Sequence, residues 1–176
     1  MIDYPSVMPP RDRPLSEDPI AEAHRHWVEH GWGDAADGMA AITSLMRAHQ
    51  IALSRAEALL KPFDITFARY EALMLLHFSR RKSLPMSVLG SRLQVHQTSV
   101  TNAVDRLESA GLVARRPHPE DRRSTLVEIT PEGVALAEKV TAVLNEQLFT
   151  DPGLSPSGIS TLVTVLRKMR KDAGDF

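Results

Sequence analysis

Apolar positions recur along this chain mostly at helical spacing, with two short interruptions. From Met39 to Leu60, positions Ile42, Leu45, Met46, His49, Leu53, Ala56, Leu59 and Leu60 keep a 3.6-residue period, and Pro62 ends the run. Thr66 is placed to cap a second helix reaching about Phe78, with Tyr70, Leu73, Met74 and His77 as its buried stripe. Arg80, Arg81 and Lys82 close that helix at the negative end of its dipole. Ser83–Pro85 is a short extended piece. Two brief helical patterns follow, separated by a tight turn. Leu89 and Leu93 are the core pair of the first, and Gly90 between them allows a close helix crossing. The second places Val100, Ala103, Val104 and Leu107 on one face and Gln97, Thr98, Thr101, Asn102 and Asp105 on the other. Gly111 is the expected stop, in the left-handed conformation.

The period then changes. Leu112–Ala114 and Leu126–Ile129 are β-branched runs flanking the Pro-punctuated turn segment RRPHPEDRRST. Thr130-Pro131 is an N-cap with proline at the first helical position, and opens a helix to about Phe149 along Val134, Ala137, Val140, Leu144 and Leu148. Asp151-Pro152-Gly153 breaks the chain, and Ser155-Pro156 caps a last helix carrying Ile159, Leu162, Val163, Leu166 and Met169. The expected fold is mainly α: a winged helix-turn-helix with a small two-stranded wing, flanked by dimerisation helices. By residue, 1–38 is an N-terminal extension, partly flexible, with a short helix near 20–30. Residues 39–62 and 131–172 are the expected dimerisation helices, and 64–130 the expected winged helix-turn-helix lobe, for which the charge pattern supplies a DNA-binding role. Helices tethered to a separate lobe cannot close a good core by themselves, so a second copy is expected to supply the missing surface.

Charge sharpens this reading. The 176 residues carry a net charge of −1. Between Arg80 and Leu126, however, nine cations face four anions, a local excess of +5 that leaves −6 on the remainder. A basic lobe on an acidic body is the footprint of a nucleic-acid binder. The polar face of the second short helix, Gln97, Thr98, Thr101 and Asn102, suits base edges in a major groove. Ser99, at the helix start, suits a phosphate. Arg115, Arg116, Arg122 and Arg123 on the ribbon suit phosphates or a narrow minor groove. The chain has no cysteine, which excludes disulfides, thiolate metal sites and thiol-based peroxide sensing. No apolar run is long enough to span a membrane and the first residues lack a signal-peptide core, so a cytoplasmic protein is expected.

Two segments carry a family resemblance: TSVTNAVDRLESAGLV (Thr98–Val113) and PEDRRSTLVEITPEG (Pro119–Gly133). They resemble the MarR family of bacterial transcriptional regulators. The second is the more specific, through Asp-x-Arg, then a strand, then Ile-Thr-x-x-Gly. The resemblance runs from about Met39 to Lys171. It implies a homodimer with interleaved terminal helices, most often a repressor, that binds a palindromic operator in double-stranded DNA. It also implies that Arg123 of the wing tip enters the minor groove and that Asp121 orients it, with Arg122 on a phosphate. The alternative for Asp121 and Arg123 is a purely structural ion pair. Family members bind small anionic or aromatic effectors between the dimer body and the DNA lobe. Candidate effector residues here are Trp27, His30, Trp32, Arg47, His49, Arg55 and Arg69.

Other function classes are less well served. No nucleophile elbow, P-loop, dinucleotide fingerprint or zincin motif is present, so no enzyme activity and no cofactor are expected. His24, His26 and His30 leave open a metal-responsive regulator, or a metal-dependent hydrolase, because His26 and His30 at i, i+4 face the same way. The plainer reading of that stretch is a helix docked by its tryptophans onto the partner subunit. A winged helix that binds only protein would not need four arginines on one ribbon.

Overall fold

The structure, a computed structural model, describes residues 15–93, 97–119, 121 and 124–176, and only the backbone of Gln97. Four helices begin at the caps their sequences provide. Asp18 accepts from the Ile20 N–H at 3.0 Å and starts α1, Pro19–Glu29. Thr66 accepts from the Arg69 N–H at 3.4 Å and starts α3, Phe67–Phe78. Thr130 accepts from the Gly133 N–H at 3.0 Å and starts α6, Pro131–Leu144. Ser155 accepts from the Gly158 N–H at 3.2 Å and starts α7, Pro156–Asp172. Each side-chain oxygen satisfies one of the orphan donors of a helix start.

Helix α2, Gly33–Leu60, begins six residues before the expected Met39 and runs straight through Gly38. The turn that frees the chain is Gly31, at φ +81°, rather than Gly38. A glycine inside a helix costs about 1 kcal/mol. Packing against α1, with Ala36 buried, offsets that cost. A 3-10 turn at Lys61–Phe63 follows. Glu57 of α2 then accepts the Phe67 N–H at 2.8 Å, tying the end of one helix to the start of the next.

The extended piece Ser83–Pro85 is β1, a strand that joins the two of the wing, so that among the described residues the sheet has three. Helices α4, Met86–Leu93, and α5, Gln97–Ser109, form the helix-turn-helix. The wing is β2, Val113–Pro117, and β3, Thr125–Ile129, longer than the β-branched runs suggest. Arg115 and Arg116 thus lie on a strand and not in the turn. The order is β1-β3-β2, antiparallel throughout, with Ser83 opposite Glu128 and Arg115 opposite Val127. Gly111 turns α5 into β2 at φ +72°, as its position predicts. After Leu144, α6 continues as a π-helical turn, Asn145–Phe149.

One core joins the end of α2 to α3, α4, α5, the wing strands and α6. Leu60, Leu73, Leu76, Leu89, Val100, Val104, Leu107, Val127, Val140 and Leu144 are all fully buried in it. Each such side chain contributes about 1.5–3 kcal/mol by leaving water. The Tyr70 hydroxyl, inside this packing, bonds Thr141 Oγ1 of α6 at 3.0 Å. Helix α7 has no buried residue at all. The start of α6 sits against the turn after α5. Thr130 donates its hydroxyl to the Gly111 carbonyl at 2.8 Å and its N–H to the Leu112 carbonyl at 3.1 Å. That approach leaves no room for a side chain at residue 133: a Cβ there would lie 2.1 Å from the Leu112 carbonyl oxygen.

Candidate nucleic-acid interface

Helix α5 is fixed by its apolar face and displays the other. Val100, Val104 and Leu107 are each 1% exposed, which anchors the helix rotationally. Thr98, Ser99 and Asn102 are consequently exposed and Thr101 is half-buried. The result is a row of short side chains, able to donate and accept, on the outer surface of the second helix of a helix-turn-helix. That is the element which fits a major groove. Gln97 begins the helix, but its side chain lies outside the described residues.

Successive residues of β2 point to opposite faces, and the two arginines there meet different fates. Arg116 is 65% exposed, its Nε 3.4 Å from the Glu128 carboxylate on the neighbouring strand. Arg115 is 27% exposed and turns inward onto α5. Its Nη2 meets Asp105 at 2.5 Å, its Nη1 meets Glu108, and its backbone N–H reaches the other Glu108 oxygen at 2.9 Å. The backbone N–H of Arg115, and then its guanidinium, hold the Glu108 carboxyl below the ordinary value of 4.5. Asp105 and Glu108 raise the guanidinium of Arg115 against the opposing effect of its partial burial, the largest single influence on it.

The wing tip is drawn together by backbone bonds. His118 N–H reaches the Ser124 carbonyl at 3.2 Å, and Ser124 N–H the Asp121 carbonyl at 2.9 Å. Asp121 N–H donates to His118 Nδ1 at 3.1 Å. Arg122 and Arg123 lie outside the described residues.

The seven effector candidates do not converge on one pocket. Trp27 and Trp32 meet edge to face, 5.4 Å between centroids, and the His30 ring lies 5.5 Å from Trp32. Those three occupy the corner between α1 and α2. Arg47, His49 and Arg55 are spread along α2, with Arg47 half-buried and the other two exposed. Arg69, of α3, donates through Nε to Thr66 Oγ1 at 3.1 Å. Of the seven, it alone lines a cleft of about 790 Å³ between the start of α3 and the flank of α5, where Asp64, Asn102 and Arg106 also contribute. In the sequence Arg106 counts only as one cation of the basic segment, because the fold alone brings it to the cleft that Arg69 lines.

The three candidate metal histidines have other partners. His24 Nε2 lies 2.9 Å from Asp37, and His26 Nδ1 lies 3.2 Å from Glu29. His30 Nδ1 donates to the His26 carbonyl at 2.8 Å. Among the described residues no group of three or more His, Cys, Asp and Glu could hold a metal ion. Among them, too, no helix is long and apolar enough to cross a membrane.

Comparison with known proteins agrees with this geometry. The sequence model of the MarR family matches residues 65–125. Sco5413, a MarR family transcriptional regulator from Streptomyces coelicolor, is 48% identical with a TM-score of 0.74, over 80% of this chain and 97% of that one. The chain belongs to the MarR family. Like its relatives it is a DNA-binding transcriptional regulator with the winged-helix fold, and not an enzyme. A mutant MarR from Escherichia coli, solved with operator DNA, is 27% identical with a TM-score of 0.67, over 72% of this MarR-family chain and 91% of that one. BpsR of Bordetella bronchiseptica, whose DNA binding is regulated by 6-hydroxynicotinic acid, is 27% identical with a TM-score of 0.66, over 72% and 90%. The Bacillus subtilis transcriptional regulator YhbI is 39% identical over 83 residues, 47% of this chain and 53% of YhbI, so the match spans about half of that relative.

Proposed function

We propose that this regulator binds a palindromic operator as a homodimer in the cytoplasm, acts as a repressor, and releases DNA when a small anionic or aromatic compound binds. The observation that carries the DNA reading is the orientation of α5, with Thr98, Ser99 and Asn102 outward and Val100, Val104 and Leu107 locked inward. In this reading Gln97, Thr98, Thr101 and Asn102 address base edges and Ser99 a phosphate. Arg116 and Arg122 hold the backbone, and Arg123, oriented by Asp121, enters the minor groove.

The dimer reading rests on apolar surface left open. Met46 and Ile51 of α2 are 61% and 56% exposed, and Val163 and Val165 of α7 are each 59% exposed. A 17-residue helix with no buried side chain is not stable in water by itself. A second copy would cover it. Residues 39–62 and 131–172 remain the proposed dimerisation helices, with 64–130 as the DNA lobe. The effector reading rests on the cleft that Arg69 and Arg106 line, because two arginines beside a concave site suit a carboxylate. Trp27, His30, Trp32, Arg47, His49 and Arg55 stay as a second, more dispersed set.

The test is enrichment of random duplexes by the purified protein. The expected product is an inverted repeat whose half-site centres lie about 10–10.5 base pairs apart. Selection that yields no common sequence refutes the operator reading. Titrating the bound duplex with 6-hydroxynicotinate and a panel of aromatic carboxylates should release DNA with at least one compound. A panel that leaves affinity unchanged refutes the anionic-effector reading.

A further inference from the structure

Asp105 and Glu108 stand on the helix that meets DNA, where bare carboxylates repel phosphates. They are nevertheless the partners of Arg115, the arginine of β2 that turns inward onto α5. We propose that Arg115 is a positioning residue that bolts the wing to the recognition helix through Asp105 and Glu108, so that this anion pair strengthens specific DNA binding instead of weakening it. The inference rests on the reading of α5 and the wing as the DNA-contacting elements.

Three features of the geometry support it. The bolt uses both ends of one residue, because Glu108 receives the Arg115 backbone N–H at 2.9 Å as well as its guanidinium. β2 is an edge strand of the sheet, so its outward N–H groups have no strand to pair with, and Glu108 takes the one at Arg115. Asp105 and Glu108 are spaced i, i+3 and therefore lie side by side on α5, matching the planar fork of a guanidinium. A ribbon held at two points along one helix has a fixed angle to it. That angle decides whether the wing reaches the DNA backbone while α5 sits in the groove. Flexible arms pay an ordering cost on binding, and a pre-set one does not. Arg115 in this arrangement touches no phosphate. Arg116, one residue on and on the opposite face, is the contact residue of the strand.

The two roles of Arg115 predict opposite results. Operator-sequence and scrambled duplexes are titrated at two salt concentrations with the wild-type chain and with Glu108→Ala, Asp105→Asn and Arg115→Gln. Simple electrostatics makes Glu108→Ala bind DNA more tightly, because an anion is gone. The bolt makes it bind the operator at least tenfold more weakly, with scrambled-duplex affinity equal to wild type or higher. Retained scrambled-duplex binding also reports that the variant is folded, and Asp105→Asn gives a milder change of the same sign. Arg115→Gln should lose operator affinity with the salt slope unchanged, and the Glu108→Ala/Arg115→Gln double variant should be no worse than the poorer single. If Glu108→Ala binds the operator as well as or better than wild type, the bolt is refuted while the DNA reading stands. A fall in the salt slope by about 0.9 per half-site in Arg115→Gln makes Arg115 a phosphate contact and also refutes it. If the wild type itself does not distinguish operator from scrambled duplex, the reading of α5 fails and takes the bolt with it.

Discussion

Replacing Gly133 with alanine should destabilise the protein far more than one methyl group suggests. The added Cβ would stand 2.1 Å from the Leu112 carbonyl oxygen, 2.8 Å from Ile129 Cγ1 and 3.1 Å from the Leu112 carbonyl carbon. Carbon and oxygen ordinarily approach no closer than about 3.3 Å, so the overlap exceeds about 1 Å. Two of the three atoms are backbone, and no rotamer change can relieve it. Helix α6 would have to back away from the turn between α5 and β2. That motion stretches the Thr130 bonds to Leu112 and Gly111, now 3.1 and 2.8 Å. Overpacking costs about 1–3 kcal/mol, and two weakened hydrogen bonds add about 1 kcal/mol each. Alanine's better helix propensity returns at most about 1 kcal/mol. The expected net loss is about 2–4 kcal/mol. Gly38 is the internal control: it lies within α2 and nothing comes within 4 Å of a Cβ there. Gly38→Ala should gain about 0.5–1 kcal/mol. Urea unfolding followed by circular dichroism, at one protomer concentration for all three proteins, reads both effects. The midpoint should fall for Gly133→Ala and rise for Gly38→Ala. An unchanged or higher midpoint for Gly133→Ala refutes the steric account of this corner.

Tyr70→Phe removes the hydroxyl that meets Thr141 at 3.0 Å and should cost about 1 kcal/mol in the same unfolding assay. The Glu108 carboxyl is depressed in the folded state, so its contribution to stability is present above 4.5 and is lost as pH falls below that value. The stability difference between wild type and Glu108→Gln should accordingly be largest near neutrality and shrink on acidification below 4.5; a constant gap between pH 7 and 3 counts against the shift. Light scattering should give twice the 19.5 kDa chain mass for the wild type, and Val163→Glu, which puts a charge into the open face of α7, should give the single-chain mass.

Much of the architecture can be read directly from the chain because it is local. Thr66, Thr130 and Ser155 cap the helices they were expected to cap, and Gly111 has the positive φ that its place after α5 requires. The rotation of α5 follows from Val100, Val104 and Leu107 alone. What stays hidden depends on contacts distant in sequence. Three residues, Ser83–Pro85, carry too little pattern to mark a strand, and β1 exists because β3 offers an edge. Gly38 looks like a helix boundary until α1 is seen packed against that turn of α2. The spacing Ile-Thr-x-x-Gly is visible in the sequence, while its cause, the Leu112 carbonyl pressed against Gly133, is not. Arg115 looks equivalent to Arg116 in the sequence. Only the strand's alternation and the place of Glu108, seven residues earlier, send the first inward and the second outward.

The central claim, that the exposed face of α5 reads DNA sequence, is tested most directly by comparing wild type and Asn102→Ala on the selected operator and on operators changed one base pair at a time. The account predicts that the wild type loses about 1–3 kcal/mol at each contacted base pair. Asn102→Ala should become indifferent to substitution at one base pair per half-site, with its salt slope and its affinity for scrambled duplex unchanged. An Asn102→Ala protein that discriminates among all the operators as the wild type does would contradict it.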